Sequence, residues 1–350
     1  MTRLTSWQSS LKNISTCHVS LQFVGSAVIA TDWLTILLAL LLDLIIGDPH
    51  GMPHPVVAVG HLIGMLDQSL RLNWLNERLA GLLLLLLVVI FSAGTTWILL
   101  KILTLLMPLA GWIAAIILSS TCLAARSLHR ESSLVASALR AGDLEAARHY
   151  LSRIVGRDTG QLDEPDIWRA VIETVAENTS DGIIAPLFWL TIGGPVTAMA
   201  YKAVSTLDSM VGYRNRRYLQ FGWASARMDD ILNFIPARIS ALLLIVAAPL
   251  AGCSASAAAR ITLRDRLNHP SPNSGHPEAA AAGALGVRLG GAASYNGEPT
   301  WKEYIGEQHN QLDEHSYHRM IRLMYISTVL MAAACMFSAY CLRGFRVPFV

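Results

Sequence analysis

The chain has 350 residues, of which 53% are hydrophobic and only 15% charged, with a formal net charge of +2. Soluble domains carry about 25% charged residues, and the mean hydropathy here is +0.43. An ordinary soluble globule is therefore excluded, and the near-neutral balance, with no basic tract bearing interleaved aromatics, gives no reason to expect nucleic acid as a partner.

Residues 1–31 are polar and then weakly apolar. A further apolar run follows them directly, so they are expected to be an N-terminal extension outside the fold. Residues 32–350 are expected to form a single all-α, polytopic membrane domain with amphipathic helices and broken or re-entrant segments.

The first apolar run, Trp33 to Gly47, is marginal in length and carries Asp43. A carboxylate inside an apolar helix is expensive and points towards function. Asp48, His50, His54 and His61 follow, in DPHGMPHP and beyond; a His/Asp metal site competes there with a proline-shaped turn. Runs two and three, Leu79–Leu100 and Ile102–Ala125, can each cross a ~30 Å hydrocarbon layer.

A polar block, Arg126–Ser180, comes next. Asp143 caps one predicted helix, with Gly156 as its C-cap, and Asp163 caps another with Pro165 in its first turn. Run four, Ile183–Ala200, is broken by Pro186 and by Gly193-Gly194-Pro195; run five, Ile239–Gly252, contains Pro249; the last is Leu323–Leu342. Four to six spans result. Arg126–Arg169 holds seven arginines and Tyr201–Arg238 is also basic, which places both blocks on the cytoplasmic side. That conflicts with a full fourth span unless the run is re-entrant.

Five stretches can carry chemistry. In ETVAENTSDGIIAPLFW, the acids Glu173, Glu177 and Asp181 recur every four residues, drifting only ~80° around a helix. They form either a solvated face paired with Arg169 or a Mg²⁺ site, with Asn178 and Thr179 as neutral donors. In YKAVSTLDSMVGYRNRRY, Lys202 and Asp208 can share a face, and Tyr213, Arg214, Arg216 and Arg217 offer phosphate contacts or a basic patch for lipid headgroups. ARMDDILNFIPAR places Arg227, Asp229 and Asp230 at the entry to an apolar run. HPSPNSGHPEAAAAGALGVRLGG turns sharply, then opens a helix at Pro277 with Asn273 and Glu278 nearby. The fifth is the histidine stretch above. The chain has no P-loop, no G-x-G-x-x-G, no H-E-x-x-H and no G-x-S-x-G. Its five cysteines are odd in number and form no C-x-x-C, so neither a disulfide framework nor a cysteine metal site is expected.

These long motifs, in this order and after GDPHGMPHPVVAVGHLI, closely resemble the membrane adenosylcobinamide-phosphate synthases of cobalamin biosynthesis, from about Leu34 to the C-terminus. The resemblance implies a reaction. Adenosylcobyric acid is joined by an amide bond to (R)-1-aminopropan-2-ol or its O-phosphate, with ATP activating the carboxylate and Mg²⁺ present. It implies a multi-pass protein of the cell inner membrane with its site facing the cytoplasm, and contact with the bilayer and with other late-pathway enzymes. On this reading Glu173, Glu177, Asp181, Asp229 and Asp230 hold the metal. Glu173, Glu177, Lys202, Asp208 and Glu278 act in catalysis, and Asn178, Tyr213, Arg214, Arg227 and Asn273 contact substrate or phosphate. The chain departs from the family pattern at Ser205, where Asn is usual, and at Ser274, His276 and Ala281 in the proline-rich loop. The D-x-H-x-x-G corrinoid pattern fails at Pro53, so histidine ligation of cobalt is not expected. The competing readings are a transporter, a lipid phosphotransferase and a scaffold.

Overall fold

The computed structural model describes residues 32–48, 54–71, 76–213, 215–295 and 297–345; the expected N-terminal extension lies outside them. Two apolar helices come first. α1 (Trp33–Ile46) is capped by Asp32, whose carboxylate accepts the Thr35 N–H at 2.7 Å. α2 (Pro55–Ser69) is capped by His54. α3 (Glu77–Leu106) and α4 (Pro108–Ser120) are separated at Met107, just before Pro108.

The polar block then folds as α5 (Ala125–Arg140), α6 (Leu144–Ser152) and α7 (Glu164–Thr179). Asp143 and Asp163 cap α6 and α7, accepting the Ala146 and Asp166 N–H groups at 2.9 Å each. The expected C-cap at Gly156 lies too far along: α6 ends at Ser152, and residues 153–163 are a connection. Asp43 has an architectural role. Buried in α1, it accepts the Ala125 N–H at 3.1 Å, satisfying the start of α5, whose own cap Ala124 has no acceptor.

One π-helical turn, Ser180–Ile184, joins α7 to α8 (Ala185–Val211). The break expected in α8 is present. Gly194 sits at φ +75° and ψ −164°, a backbone region open only to glycine. The Thr197 hydroxyl lies 2.7 Å from the Trp189 carbonyl and 3.0 Å from that of Gly194, covering groups freed by the kink. α9 (Trp223–Leu232) and α10 (Phe234–Ala247) meet at 47°. α11 (Ala255–Asp265) and α12 (Gly275–Leu285) precede the long α13 (Glu314–Phe345). Every residue of α12 is buried, and its alanines let neighbouring helices approach closely.

The all-α expectation needs one addition. β1 (Arg288–Tyr295) and β2 (Glu298–Gly306) form an antiparallel hairpin with a register shift between Leu289 and Gly291.

Four helical segments are long and apolar enough to cross a membrane: Glu77–Leu106, Pro108–Arg140, Glu164–Val211 and Glu314–Cys341. A fifth counts if α9 and α10 together form one bent span. The molecule is a polytopic α-helical membrane protein. α3 exposes Leu79, Leu82, Leu83, Leu86, Leu87 and Ile90, an apolar face suited to hydrocarbon rather than water. Two interior clusters hold the helices together. The larger contains Val171, Ile183, Leu187, Leu244 and Met324; the smaller joins Ile63, Leu84, Val88, Leu207 and Phe221. α8 takes part in both, through Leu187 to Met199 and then Ala203 to Val211. Among the described residues Cys122, Cys253, Cys335 and Cys341 are free thiols.

Candidate active site

The acid ladder does not act as one face. Glu173 is only 3% exposed. One of its oxygens meets the Arg157 guanidinium, and the other accepts the Gly290 N–H at 2.8 Å. Arg157 is itself buried, and Glu173's charge outweighs that burial to hold the guanidinium firmly protonated. Glu173 therefore anchors the hairpin and the 153–163 connection to α7.

Glu177 and Asp181 turn elsewhere. The π-turn widens the helix locally, a distortion frequent at functional sites. Glu177 accepts the Ser274 hydroxyl at 2.8 Å, reaching the start of α12. Asp181 lies within electrostatic range of Asp229, Glu177 and Asp208, and Asp208 in turn feels Asp230 and Glu177. The Tyr201 hydroxyl stands 3.0 Å from the Asp181 carbonyl and 2.8 Å from Asn233 Oδ1, and its single proton serves one at a time. Asn233 donates to Asp229 at 2.9 Å. Five carboxylates from α7, the π-turn, α8 and α9 thus converge. Arg227 is 3.8 Å from Asp230, with its side chain 66% exposed, so it neutralises little of that charge.

A second group adjoins Glu177. Glu278, on the first turn of α12, is buried, with Glu173 and Glu177 as its nearest like charges. Burial first, and then those two charges, push its pKa well above the usual carboxylate range. Lys302 reaches the same interior from β2. Burial works against its charge, but Glu278, Tyr295 and Glu173 outweigh that and raise its pKa. His269 Nε2 lies 3.7 Å from Glu278 Oε1, and burial pulls the ring's pKa down.

The remaining expected residues are dispersed. Lys202 faces Asp43 and Asp48 instead of the five-acid cluster. Asp48 accepts from Ser127 at 2.8 Å and pairs with His54 at 3.0 Å; His50 lies outside the described residues. The Asn178 amide donates to the Thr174 carbonyl at 2.9 Å. Tyr213 is 45% exposed and packs over Gly156. Arg214 lies outside the described residues. Asn273 is a connector: Oδ1 accepts from Arg238 at 2.7 Å, and Nδ2 donates to the Asp230 carbonyl at 2.8 Å.

Sequence reasoning missed Arg157, Lys302, His269 and Ser274 as members of this interior. Arg157 sits in a connection and Lys302 in a strand of mixed exposure, so no periodicity marks either. The available signal is the Asn-Gly pair at 296–297 in the sequence, a pair that favours two-residue hairpin turns. Among the described residues, no three His, Cys, Asp or Glu side chains are grouped closely enough to hold a metal ion by themselves.

Comparison with known proteins places these features in a lineage. The family model described as "CobD/Cbib protein" matches residues 36–324. "Cobalamin biosynthesis protein CobD" of Pelobacter propionicus is 60% identical over 319 residues, covering 91% of this chain and 99% of that protein. The protein of the same name from Klebsiella pneumoniae is 46% identical, covering 87% and 97% respectively. "Cobalamin biosynthesis protein CbiB" of Salmonella typhimurium is 46% identical, covering 87% and 96%. No solved structure matches. With the matched region spanning the acid cluster, α12 and the hairpin, the chain belongs to the CobD/CbiB family.

Proposed function

We propose that this protein acts in cobalamin biosynthesis as an adenosylcobinamide-phosphate synthase, joining adenosylcobyric acid to (R)-1-aminopropan-2-ol or its O-phosphate. The observation that carries the reading is the convergence of Glu177, Asp181, Asp208, Asp229 and Asp230, five acids gathered with little positive charge beside them. Like charges gathered within electrostatic range at a half-buried site are costly unless a cation joins them.

The donor set fits Mg²⁺, a hard ion that takes one or two carboxylates and completes its shell with water and phosphate oxygens. Two of Glu177, Asp181, Asp229 and Asp230 would hold it, with water and phosphate oxygens completing its shell, and when bound it would neutralise charge on the phosphates of ATP. Glu173, committed to Arg157 and Gly290, is left to shape the site. A carboxylate does not acylate an amine in water at useful rates. Transfer of the ATP γ-phosphoryl to the corrinoid carboxylate, with ADP leaving, gives an acyl phosphate. The amine then attacks its carbonyl carbon and phosphate departs. The attacking ammonium must first lose a proton. Glu278, buried with Glu173 and Glu177 as like-charged neighbours, is the group suited to accept it in its ionised form, its raised pKa making that carboxylate a stronger base.

The experiment is a product assay on purified protein in detergent, given adenosylcobyric acid, aminopropanol or its phosphate, ATP and Mg²⁺, and followed by mass spectrometry. Amide that requires ATP is the expected result. The kinked α8 favours a second reading, corrinoid transport. Corrinoid binding by folded protein without amide formation would support that reading and remove the synthase.

A further inference from the structure

A cationic cluster lies beside the acid cluster and has no role in the mechanism above. Arg238 projects from α10, Arg266 follows the end of α11, and His276 stands in the first turn of α12. The two guanidinium charges lie within electrostatic range of each other and of the His276 ring. Among the described residues, every hydrogen bond these guanidiniums make goes to a neutral oxygen. Arg238 donates to the Phe234 carbonyl, to Asn273 Oδ1 and, at 3.4 Å, to the Pro272 carbonyl; Arg266 donates to the Leu263 carbonyl. Two arginines side by side without a carboxylate are the reverse of what a structural ion pair needs.

His276 supplies the independent observation. It is 5% exposed, and its Nδ1 is buried without a hydrogen-bond partner. The neighbouring Asn273 carbonyl takes its hydrogen bond from the His276 backbone N–H at 3.0 Å instead. Burial, and then the charges of Arg238 and Arg266, drive the ring's pKa down to about 4. The ring is thus held neutral by the charges it faces, and an anion seated among them would remove that penalty. Close packing fixes the arrangement: a side chain at Gly275 would meet the Arg266 carbonyl at 2.4 Å. The positive end of α12 adds to the field.

The geometry points to Arg238, Arg266 and His276 as the phosphate-binding subsite of the reaction, taking a phosphomonoester or a polyphosphate. Its position supports this. Asn273 joins Arg238 to the Asp230 backbone, and the next residue, Ser274, donates to Glu177. A phosphate held by the arginines therefore lies next to the carboxylates suited to a divalent cation. Planar guanidinium forks match phosphate oxygens. The ligand names rest on the proposed synthase reading; the anion site itself does not.

The test titrates full-length protein in phospholipid-free detergent with ATP, aminopropanol O-phosphate, unphosphorylated aminopropanol and inorganic pyrophosphate. Wild type is compared with Arg266→Gln and His276→Phe, each checked for folding by size exclusion and circular dichroism. The expected result is a phosphate-bearing ligand bound ten- to a hundredfold more weakly by the variants, with unphosphorylated aminopropanol unaffected. Weakening of ATP alone assigns the subsite to the nucleotide; weakening of aminopropanol phosphate alone assigns it to the amine substrate. Wild-type affinities for all phosphate ligands in both folded variants would overturn the subsite, as would a folded wild type that binds none of them. Pyrophosphate binding lost in the variants, from a protein that forms no amide, would keep the subsite and remove the synthase reading. Amide formation with unchanged binding would do the opposite.

Discussion

Glu173 and Glu177 are one helical turn apart on α7, yet they live in different environments. Glu173 is matched charge for charge by Arg157 and tied to the Gly290 N–H. Glu177 receives one neutral hydroxyl, from Ser274, and otherwise faces His269 and other acids. An identical residue at equivalent spacing becomes a structural rivet in one place and part of a charged cluster in the other. The contrast shows that an acid ladder is read by its tertiary partners and not by its period.

The largest expected effect comes from breaking the rivet. Glu173→Gln leaves the buried Arg157 charge without its counterion and should cost about 3–5 kcal/mol, seen as a lower midpoint in thermal unfolding of the detergent-solubilised protein. Adding Arg157→Met should recover much of the loss, because an apolar pair of similar volume removes the stranded charge. No recovery in the double variant would mean that Arg157 and Glu173 act separately.

Glu177→Gln should behave in the opposite manner. Stability should hold or rise, since one like charge is removed and the amide oxygen still accepts from Ser274. Amide formation should fall about 10²–10³-fold, measured as kcat in the product assay. A variant with normal kcat would take Glu177 out of the site.

Glu278 sharpens the comparison through pH. Its folded pKa lies above its unfolded value, so between the two the folded state binds more protons. Stability should fall as pH rises from the ordinary carboxylate range through the folded value. Glu278→Gln should flatten that slope and be more stable than wild type on the alkaline side, while losing amide-forming activity. Denaturant midpoints across pH would check the sign; an unchanged slope would mean that another group carries the titration.

Lys202 should give the smallest effect. It faces Asp43 and Asp48, away from the five acids, so Lys202→Ala should change kcat by less than about tenfold against the larger loss expected of Glu177→Gln. A loss as large as that of Glu177→Gln would place it in the reaction after all.

Local chemistry made much of the fold legible. Asp143, Asp163 and Pro165 mark helix starts because capping is decided within a turn. Gly193-Gly194-Pro195 announces the kink in α8 because few other residues can occupy it. The end of α6 was misplaced at Gly156 because the chain leaves that helix through the residues after Ser152, without needing glycine. The hairpin is the larger omission: its strands show no clean alternation of burial and are set in a glycine-rich block that reads as loop. With it went Lys302, whose approach to Glu278 depends on strand pairing. The acid cluster was foreseen in composition, since Glu177, Asp181, Asp208, Asp229 and Asp230 were all singled out. Glu173's separate fate was not, because its partner lies in an irregular connection. Of the arginines expected to meet phosphate, Arg227 lies beside Asp230 and Arg214 falls outside the described residues, while sequence reading assigns no role to Arg238 or Arg266.

The complete burial of α12 has a consequence for how this protein can change. A helix with no solvent or lipid face offers no position where a larger side chain can be tried without displacing its neighbours. The stretch 279–284 should therefore stand out as an intolerant island in a saturation-mutagenesis map. Variation in substrate preference must then accumulate outside this helix, at Ser271 and Pro272 on the loop that precedes it, while the floor beneath Glu278 stays fixed.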